Sequence, residues 1–458
     1  MVRGTYCTTV FRLTFENTGE RPMNTIVSRQ FSDAFYAMRT DSKDAIFFEG
    51  GSSRIAQRLL SDHGFTPTPK DFPDYDPDCW ADISEDCEDL RSEIARFRSG
   101  DNGSIGAQES IGNEAAEKKE TPLARLKAYA KKTWQLVTAD IELTHLCNCR
   151  CRYCYLADYI NHGLPIEELY RLASALRRAG VVFTSLTGGE LFLRPDAIEV
   201  LNMFADLNFM LEIKSNGTLL DSEKIAALAK LPVFDMQISI YDIVDGQSDT
   251  TQRIYPFNKI AESIRQLSEV GMPLTLSVTV GKHNIDQLDL IHQTLKEIAD
   301  IAIFYSPYIT PRRSGSDDGI KLRLSDREMN EKLLPFLQRT HNFSKMEWYR
   351  DCATCMHPCT AGITQIAVDP LGNLYPCLDL PEVIGNVRHV DVDMLLSVQS
   401  RQRTMSKFRM ADMPQCMDCK VREYCDSCVG IALMENGTHT RPARHKCDVV
   451  HFFVLNDP

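Results

Sequence analysis

Sixteen cysteines stand in this chain of 458 residues, and most of them crowd into short windows. Cys147, Cys151 and Cys154 form the first, CNCRCRYC, with a CxxxCxxC spacing. Three thiolates on one tight loop can hold three irons of a four-iron cube and leave the fourth iron open to a small-molecule ligand. A zinc-binding loop is the competing reading, although a structural zinc normally takes four protein ligands. Cys149 lies inside the loop and reads as a bystander. Further on, Cys359, Gly372 and Cys377 follow a Cys-x12-Gly-x4-Cys spacing, with Cys352 and Cys355 just upstream. Cys416, Cys419, Cys425 and Cys428 then run as Cys-x2-Cys-x5-Cys-x2-Cys, and Cys447 closes the series. Eight thiolates there would make two fully ligated four-iron clusters. CxxC pairs suit structural zinc equally well. Cys7, Cys79 and Cys87 match no motif and read as ordinary core thiols.

Something must position these windows. From Trp134 onward, strand and helix patterns alternate. Strands are expected over 137–144, 181–187, 209–215, 234–241, 274–280 and 301–305, with amphipathic helices such as 166–179 and 222–229 between them. Repeated βα units imply a parallel sheet with helices outside, open or closed into a barrel. After about residue 345 the alternation stops, and cysteine, proline and glycine dominate. Ahead of the barrel, residues 1–98 read as a small α/β unit. Its strands are expected at 8–14, 34–38 and 45–48. Helices carrying Ile55, Leu59 and Leu60, and then Leu90, Ile94 and Phe97, follow on either side of a proline-rich stretch at 67–77. Residues 99–121 are small and polar, and read as a flexible linker spanning roughly 25–30 Å. The domains are therefore expected at 1–98, 122–345 and 346–458.

Bulk properties narrow the function classes. Hydrophobic residues make up 43% and charged residues 25%, an ordinary globular balance. A net charge of −12 argues against a nucleic-acid partner, because phosphate backbones need a basic surface. No apolar run is long enough to span a bilayer, and no signal-peptide pattern opens the chain. The expectation is a cytoplasmic protein, where clustered cysteines read as metal ligands rather than disulfides.

On these residues the chain resembles the radical S-adenosylmethionine (SAM) superfamily. Tyr153 stands before the third cysteine, where the family places an aromatic near the adenine. The resemblance implies that Gly188, Gly189 and Glu190, in TGGELFLRPD, meet the methionine amino group. It implies ribose contacts for Ser215, Asn216 and Gly217, and a cofactor-facing place for Ser239. Arg253 is a candidate for the cofactor carboxylate, although the loop before it departs from family spacing. The expected fold is α/β: a partial (β/α)6 TIM-like barrel.

The C-terminal cysteines resemble the SPASM extension of radical enzymes that modify peptides. That resemblance implies one auxiliary cluster on Cys359, Cys377, Cys428 and either Cys352 or Cys355. A second would use Cys416, Cys419, Cys425 and Cys447, for three 4Fe–4S clusters in all. The first 98 residues loosely resemble the winged-helix-like recognition domain of maturases for ribosomally made peptides. A precursor's leader would add a strand beside 45–48 and pack on the helix bearing Leu90, Ile94 and Phe97. The barrel is not expected to need this unit for cofactor cleavage.

The expected function is a peptide maturase that installs a crosslink, thioether in preference to carbon–carbon, using SAM and an electron donor such as flavodoxin or ferredoxin. The catalytic acid and base are not identified. Two alternatives remain open. One is a sulfatase-maturing enzyme, although Leu378 stands where those enzymes carry aspartate and Asp379 is displaced by one. The other is a non-enzymatic cysteine-rich zinc adaptor that binds peptides.

Overall fold

The computed structural model describes residues 26–32, 34–39, 43–49, 51–62, 65, 80–99, 121–156, 158–313, 318–340, 357–425 and 427–456, with the side chains of 51–52 and 80–89 excepted. Cys7, Cys79, Cys352 and Cys355, the strand expected at 8–14 and the stretch 67–77 lie outside these residues. So do residues 100–120 of the expected linker.

Three strands open the described chain: β1 (Ile26–Gln30), β2 (Ala34–Arg39) and β3 (Ala45–Glu49). They pair antiparallel in the order β1-β2-β3. Helices α1 (Gly51–Ser61) and α2 (Trp80–Ser99) follow. Side chains alternate across a strand, and here both faces are buried. Ile26, Phe35, Ala37 and Ile46 face Ile55, Leu59, Leu60, Leu90, Ile94 and Phe97. Ile94 and Phe97 are 1% and 2% exposed, packed against the unit's own sheet.

The opposite face is not free either. Val27, Tyr36, Met38 and Phe47 pack on helix α3 (Pro122–Thr133) through Leu126, Tyr129 and Ala130, and on Val137, Val182, Phe183 and Met210. Arg29 is 1% exposed in this seam. Its Nε donates to the Val181 carbonyl at 2.7 Å, and its guanidinium lies 5.2 Å from the Phe209 ring centroid. The small unit is thus docked on the barrel. Thr121 caps α3 by accepting from Ala124 N–H, and Pro122 suits the first turn because it lacks the N–H that would go unpaired there.

The barrel strands are β4 (Thr138–Glu142), β5 (Phe183–Thr187), β6 (Met210–Ser215), β7 (Val233–Ile240), β10 (Leu274–Thr279) and β11 (Ala302–Ser306). All six run parallel in the order β4-β5-β6-β7-β10-β11. A short hairpin, β8 (Gly246–Ser248) and β9 (Arg253–Tyr255), is inserted after β7. Helices α4 (Ile166–Arg178), α5 (Ala197–Asp206), α6 (Ser222–Leu228), α7 (Phe257–Glu269) and α8 (Leu288–Ile298) form the outer layer. Leu169, Leu172, Ala173 and Leu176 recur at helical spacing on α4 and meet Ile141 and Leu186 of the sheet in one core. Strand residues of the other parity, such as Asp140, Ser185, Glu212 and Gln237, turn away from the helices.

The C-terminal region continues this sheet. Strand β12 (Gln365–Val368) pairs parallel with β4, and β13 (Asn373–Tyr375) and β14 (Gly385–Asn386) add on antiparallel. The helices Val429–Asn436 and Arg444–Leu455 complete it. The cysteine-rich region is therefore built onto the barrel's β4 edge rather than separated from it.

Candidate active site

Active sites of such barrels gather at the C-terminal ends of the strands, and the loop after β4 carries Cys147, Cys151 and Cys154. Its path is fixed by backbone bonds. Cys154 N–H donates to the Cys151 carbonyl at 3.0 Å, Arg150 N–H to Thr251 at 2.7 Å and Arg152 N–H to Thr250 at 3.1 Å. The inserted hairpin thus holds the cysteine loop in place. Cys149 N–H donates to Cys147 Sγ at 3.4 Å, and Asn216 Nδ2 lies 3.9 Å from Cys147 Sγ and 3.7 Å from Cys149 Sγ.

The glycines after β5 let two backbones touch. Gly188 has φ 138°, and a Cβ there would stand 2.2 Å from the Thr144 carbonyl oxygen. A Cβ on Gly189 would stand 2.2 Å from the Leu146 carbonyl oxygen. Gly189 N–H donates to Thr144 at 2.7 Å and Glu190 N–H to Leu146 at 2.8 Å, locking this turn to the cysteine loop. Glu190 is wholly buried. It accepts from Asn216 N–H at 2.7 Å, from Phe192 N–H at 3.1 Å and from the Ser215 hydroxyl at 2.9 Å. Burial pushes its carboxyl up, and these bonds oppose the shift. Glu190 and Ser215 therefore brace the ends of β5 and β6.

A cavity of about 230 Å³ opens at this end of the barrel. Cys147, Cys151, Cys154, Tyr153, Gly188 and Gly189 line it, together with Tyr155, Tyr159, Tyr241, Thr279, Tyr308 and Ile309. Glu190, Ser215, Asn216 and Ser239 do not. Ser239 sits half-buried on β7, bonded to Tyr241. Arg253 is not brought here: it is exposed on the hairpin and donates to the Gln252 carbonyl at 2.9 Å. Tyr241 was missed by sequence reasoning but lies two residues past Ser239, on the same strand face. Tyr308 and Ile309 follow β11, where the strand-end rule would have pointed.

The charges around the cavity suit a cation-held group. Hydrogen bonding with Cys149, then burial, pushes the Cys147 thiol well up. Burial does the same to Cys154. Buried thiols so placed become stable thiolates once a metal supplies positive charge. Tyr153 packs 6.3 Å from Tyr241 and 5.3 Å from His283, ring centroid to centroid. Both His283 nitrogens are buried without a partner among the described residues, and burial lowers this imidazole to about 4.

The remaining cysteines fall into two groups. Cys377 is raised by burial and then by Asp379, Cys359 and Cys428. Cys447 is pushed up to about 12 by burial and by Cys425, Cys416 and Cys419. Cys419 Sγ also lies 3.6 Å from His451 Nε2. The described part of each group is the set that the resemblance implies for one cluster. Among the described residues, no three His, Cys, Asp or Glu side chains are arranged around a single metal ion. Thiolates are the ligands a four-iron cube takes, one to each iron.

Comparison with known proteins agrees on the two regions. Residues 141–295 match the Radical SAM superfamily, and residues 359–428 match the SPASM iron–sulfur cluster-binding domain. The antilisterial bacteriocin subtilosin biosynthesis protein AlbA of Bacillus subtilis is 24% identical over 66% of this chain and 69% of its own length. The PqqA peptide cyclase of Gluconobacter oxydans is 24% identical over 66% of this chain and 88% of its own. The AdoMet-dependent heme synthase of Methanosarcina barkeri is 22% identical over 65% and 92%. Among solved structures, Streptococcus suis SuiB bound to precursor peptide SuiA superposes with a TM-score of 0.59 at 16% identity, over 92% of this chain and 98% of that one. This likeness extends the shared fold to the small N-terminal unit. No helix among the described residues is long and apolar enough to cross a membrane. The chain thus carries a radical SAM domain over residues 141–295 and a SPASM iron–sulfur cluster-binding domain over residues 359–428.

Proposed function

We propose that this enzyme abstracts a hydrogen atom from a ribosomally made precursor peptide and closes a crosslink in it, a thioether in preference to a carbon–carbon bond. The observation that carries the reading is the joining of three parts in one molecule. A cysteine-lined cavity opens at the strand ends, a second cysteine region is built onto the same sheet, and a small three-stranded sheet is docked on the barrel. The names of AlbA, PqqA peptide cyclase and SuiA-bound SuiB support a peptide substrate.

When bound, SAM and its cluster supply a hydrogen-abstracting 5′-deoxyadenosyl radical. The chain's own residues hold and shield that chemistry. Cys147, Cys151 and Cys154 would hold the cluster, and the backbone of Gly188 and Gly189 would meet the methionine amino group of SAM. Glu190 and Ser215 act from behind by holding Asn216 in place. Tyr153 and Tyr241 wall off the adenine side and exclude water. Cys359, Cys377 and Cys428 with Cys352 or Cys355, and Cys416, Cys419, Cys425 and Cys447, hold two further clusters.

The precursor's leader adds a strand to β3. Among the described residues β3 pairs only with β2, so its outer edge offers unpaired backbone groups. Arg125 of α3 stands beside that edge, paired with Glu49 at 3.7 Å and lying over Phe47 at 5.2 Å. The enzyme works in the cytoplasm with a flavodoxin- or ferredoxin-like donor. Mass spectrometry of a precursor encoded beside the gene, co-expressed with the enzyme, tests the reading. Loss of two hydrogen atoms with protection of a cysteine from alkylation supports a thioether. The same loss with cysteines still reactive supports carbon–carbon closure, and an unchanged peptide overturns both.

A further inference from the structure

A buried carboxylate that this chemistry leaves unused ends strand β4. The Glu142 side chain is wholly buried. It accepts from the Tyr155 hydroxyl at 2.7 Å and from one terminal nitrogen of Arg313 at 3.1 and 2.9 Å, and it meets His145 Nε2 at 3.2 Å. The other terminal nitrogen of Arg313 donates to the Leu378 carbonyl at 2.8 Å. Its backbone N–H donates to the Tyr155 carbonyl at 2.8 Å, and its guanidinium lies 4.8 Å from the Tyr155 ring centroid. Arg312 Nε donates to the Cys154 carbonyl at 3.3 Å.

Tyr155 follows Cys154 in sequence, and Leu378 follows Cys377. One arginine thus bonds next to a cysteine of the radical loop and next to a cysteine of the C-terminal region. The pair also resists rearrangement. A buried ion pair stripped of one partner leaves an uncompensated charge, and the planar fork of arginine serves a carboxylate and a carbonyl together in fixed directions.

We infer that Arg313 is a positioning residue. It fixes the Cys377 loop against the Cys154 loop, so that a cluster on Cys359, Cys377 and Cys428 stands at a set place and in a set field beside the radical site. The inference rests on the proposed function. After hydrogen-atom removal, closing a carbon–sulfur bond breaks S–H and releases one proton, to solvent, and one electron. The electron's acceptor is an oxidised iron–sulfur cluster, and its readiness to accept depends on nearby charge and hydrogen bonding.

The test uses R313K, with R388K as a control because Arg388 pairs with Glu168 at 2.6 Å on the surface. Each is placed in the C147A/C151A/C154A background, which leaves only the auxiliary clusters, and redox titration is followed by electron paramagnetic resonance. R313K should keep about eight irons. It should move one midpoint by a tenfold change in the reduced-to-oxidised ratio, about 59 mV for one electron, and leave the other in place. R388K should move neither. With the radical cysteines restored and precursor supplied, R313K should lower crosslinked product per 5′-deoxyadenosine at least tenfold. If R313K does not fold, the uncharged pair E142Q/R313Q carries the same test with the same expected shift. Full iron with both midpoints and the product ratio unmoved overturns the inference alone. Parent protein with zinc in place of auxiliary iron overturns the functional reading beneath it.

Discussion

Deleting residues 1–98 asks whether the small N-terminal unit is tethered to the barrel or part of its fold. The deletion strips β1 to β3 from Leu126, Tyr129, Val182, Phe183 and Met210, all buried in the shared cluster. Burying one large apolar side chain is worth about 1.5–3 kcal/mol, so exposing all five would cost about 8–15 kcal/mol. Helix α3 and the barrel still cover one another, so roughly half of that, about 4–7 kcal/mol, is the expected loss. Native proteins are stable by only about 5–15 kcal/mol. The truncated barrel should therefore aggregate or bind a hydrophobic dye, and should lose SAM cleavage through misfolding rather than through lost contacts. Size-exclusion chromatography, dye binding and 5′-deoxyadenosine formation read this together. A monomeric truncated protein with parental melting temperature and parental cleavage would refute the docking argument and restore a freely tethered unit.

Three further outcomes are expected. Replacing Cys147, Cys151 and Cys154 together with alanine should abolish 5′-deoxyadenosine while leaving about eight irons per chain, measured by iron and sulfide assay. Gly188→Ala forces a side chain to φ 138° and against the Thr144 carbonyl, which should cost about 1–3 kcal/mol of backbone strain alone and show as a lower melting temperature with loss of SAM cleavage. His283 is neutral when folded because its pKa is lowered to about 4 from 6.5, so the unfolded chain binds the extra proton between those values. Stability should fall as pH drops through that window, by up to about 3 kcal/mol. His283→Leu should flatten this part of the profile in denaturant titrations at pH 4–7, and an unchanged slope would exclude His283 as its source.

The barrel was legible because its apolar strands and amphipathic helices alternate without interruption, and each of the six expected strands overlaps an observed one. Strand β1 was not, because IVSRQ carries Arg29, a charge that reads as surface until the seam burying it is known. The docking of the small unit was hidden for the same reason: both faces of AFYAM are apolar, and sequence cannot say what covers the second. Local cysteine spacing revealed the windows, since ligands on one loop are close in the chain. The Glu142–Arg313 pair joins residues 171 apart, beyond the reach of any local pattern. Glu190 was legible through its GGE motif, but its bonds to Ser215 and Asn216 join residues 25 and 26 apart and were not.

The central claim is that the radical formed at the cysteine-lined cavity acts on a peptide. A precursor uniformly deuterated at carbon, incubated anaerobically with reconstituted enzyme, SAM and a one-electron reductant, tests it most directly. The account predicts 5′-deoxyadenosine carrying one deuterium, accumulating in step with crosslinked peptide. Unlabelled 5′-deoxyadenosine beside unmodified peptide would contradict it.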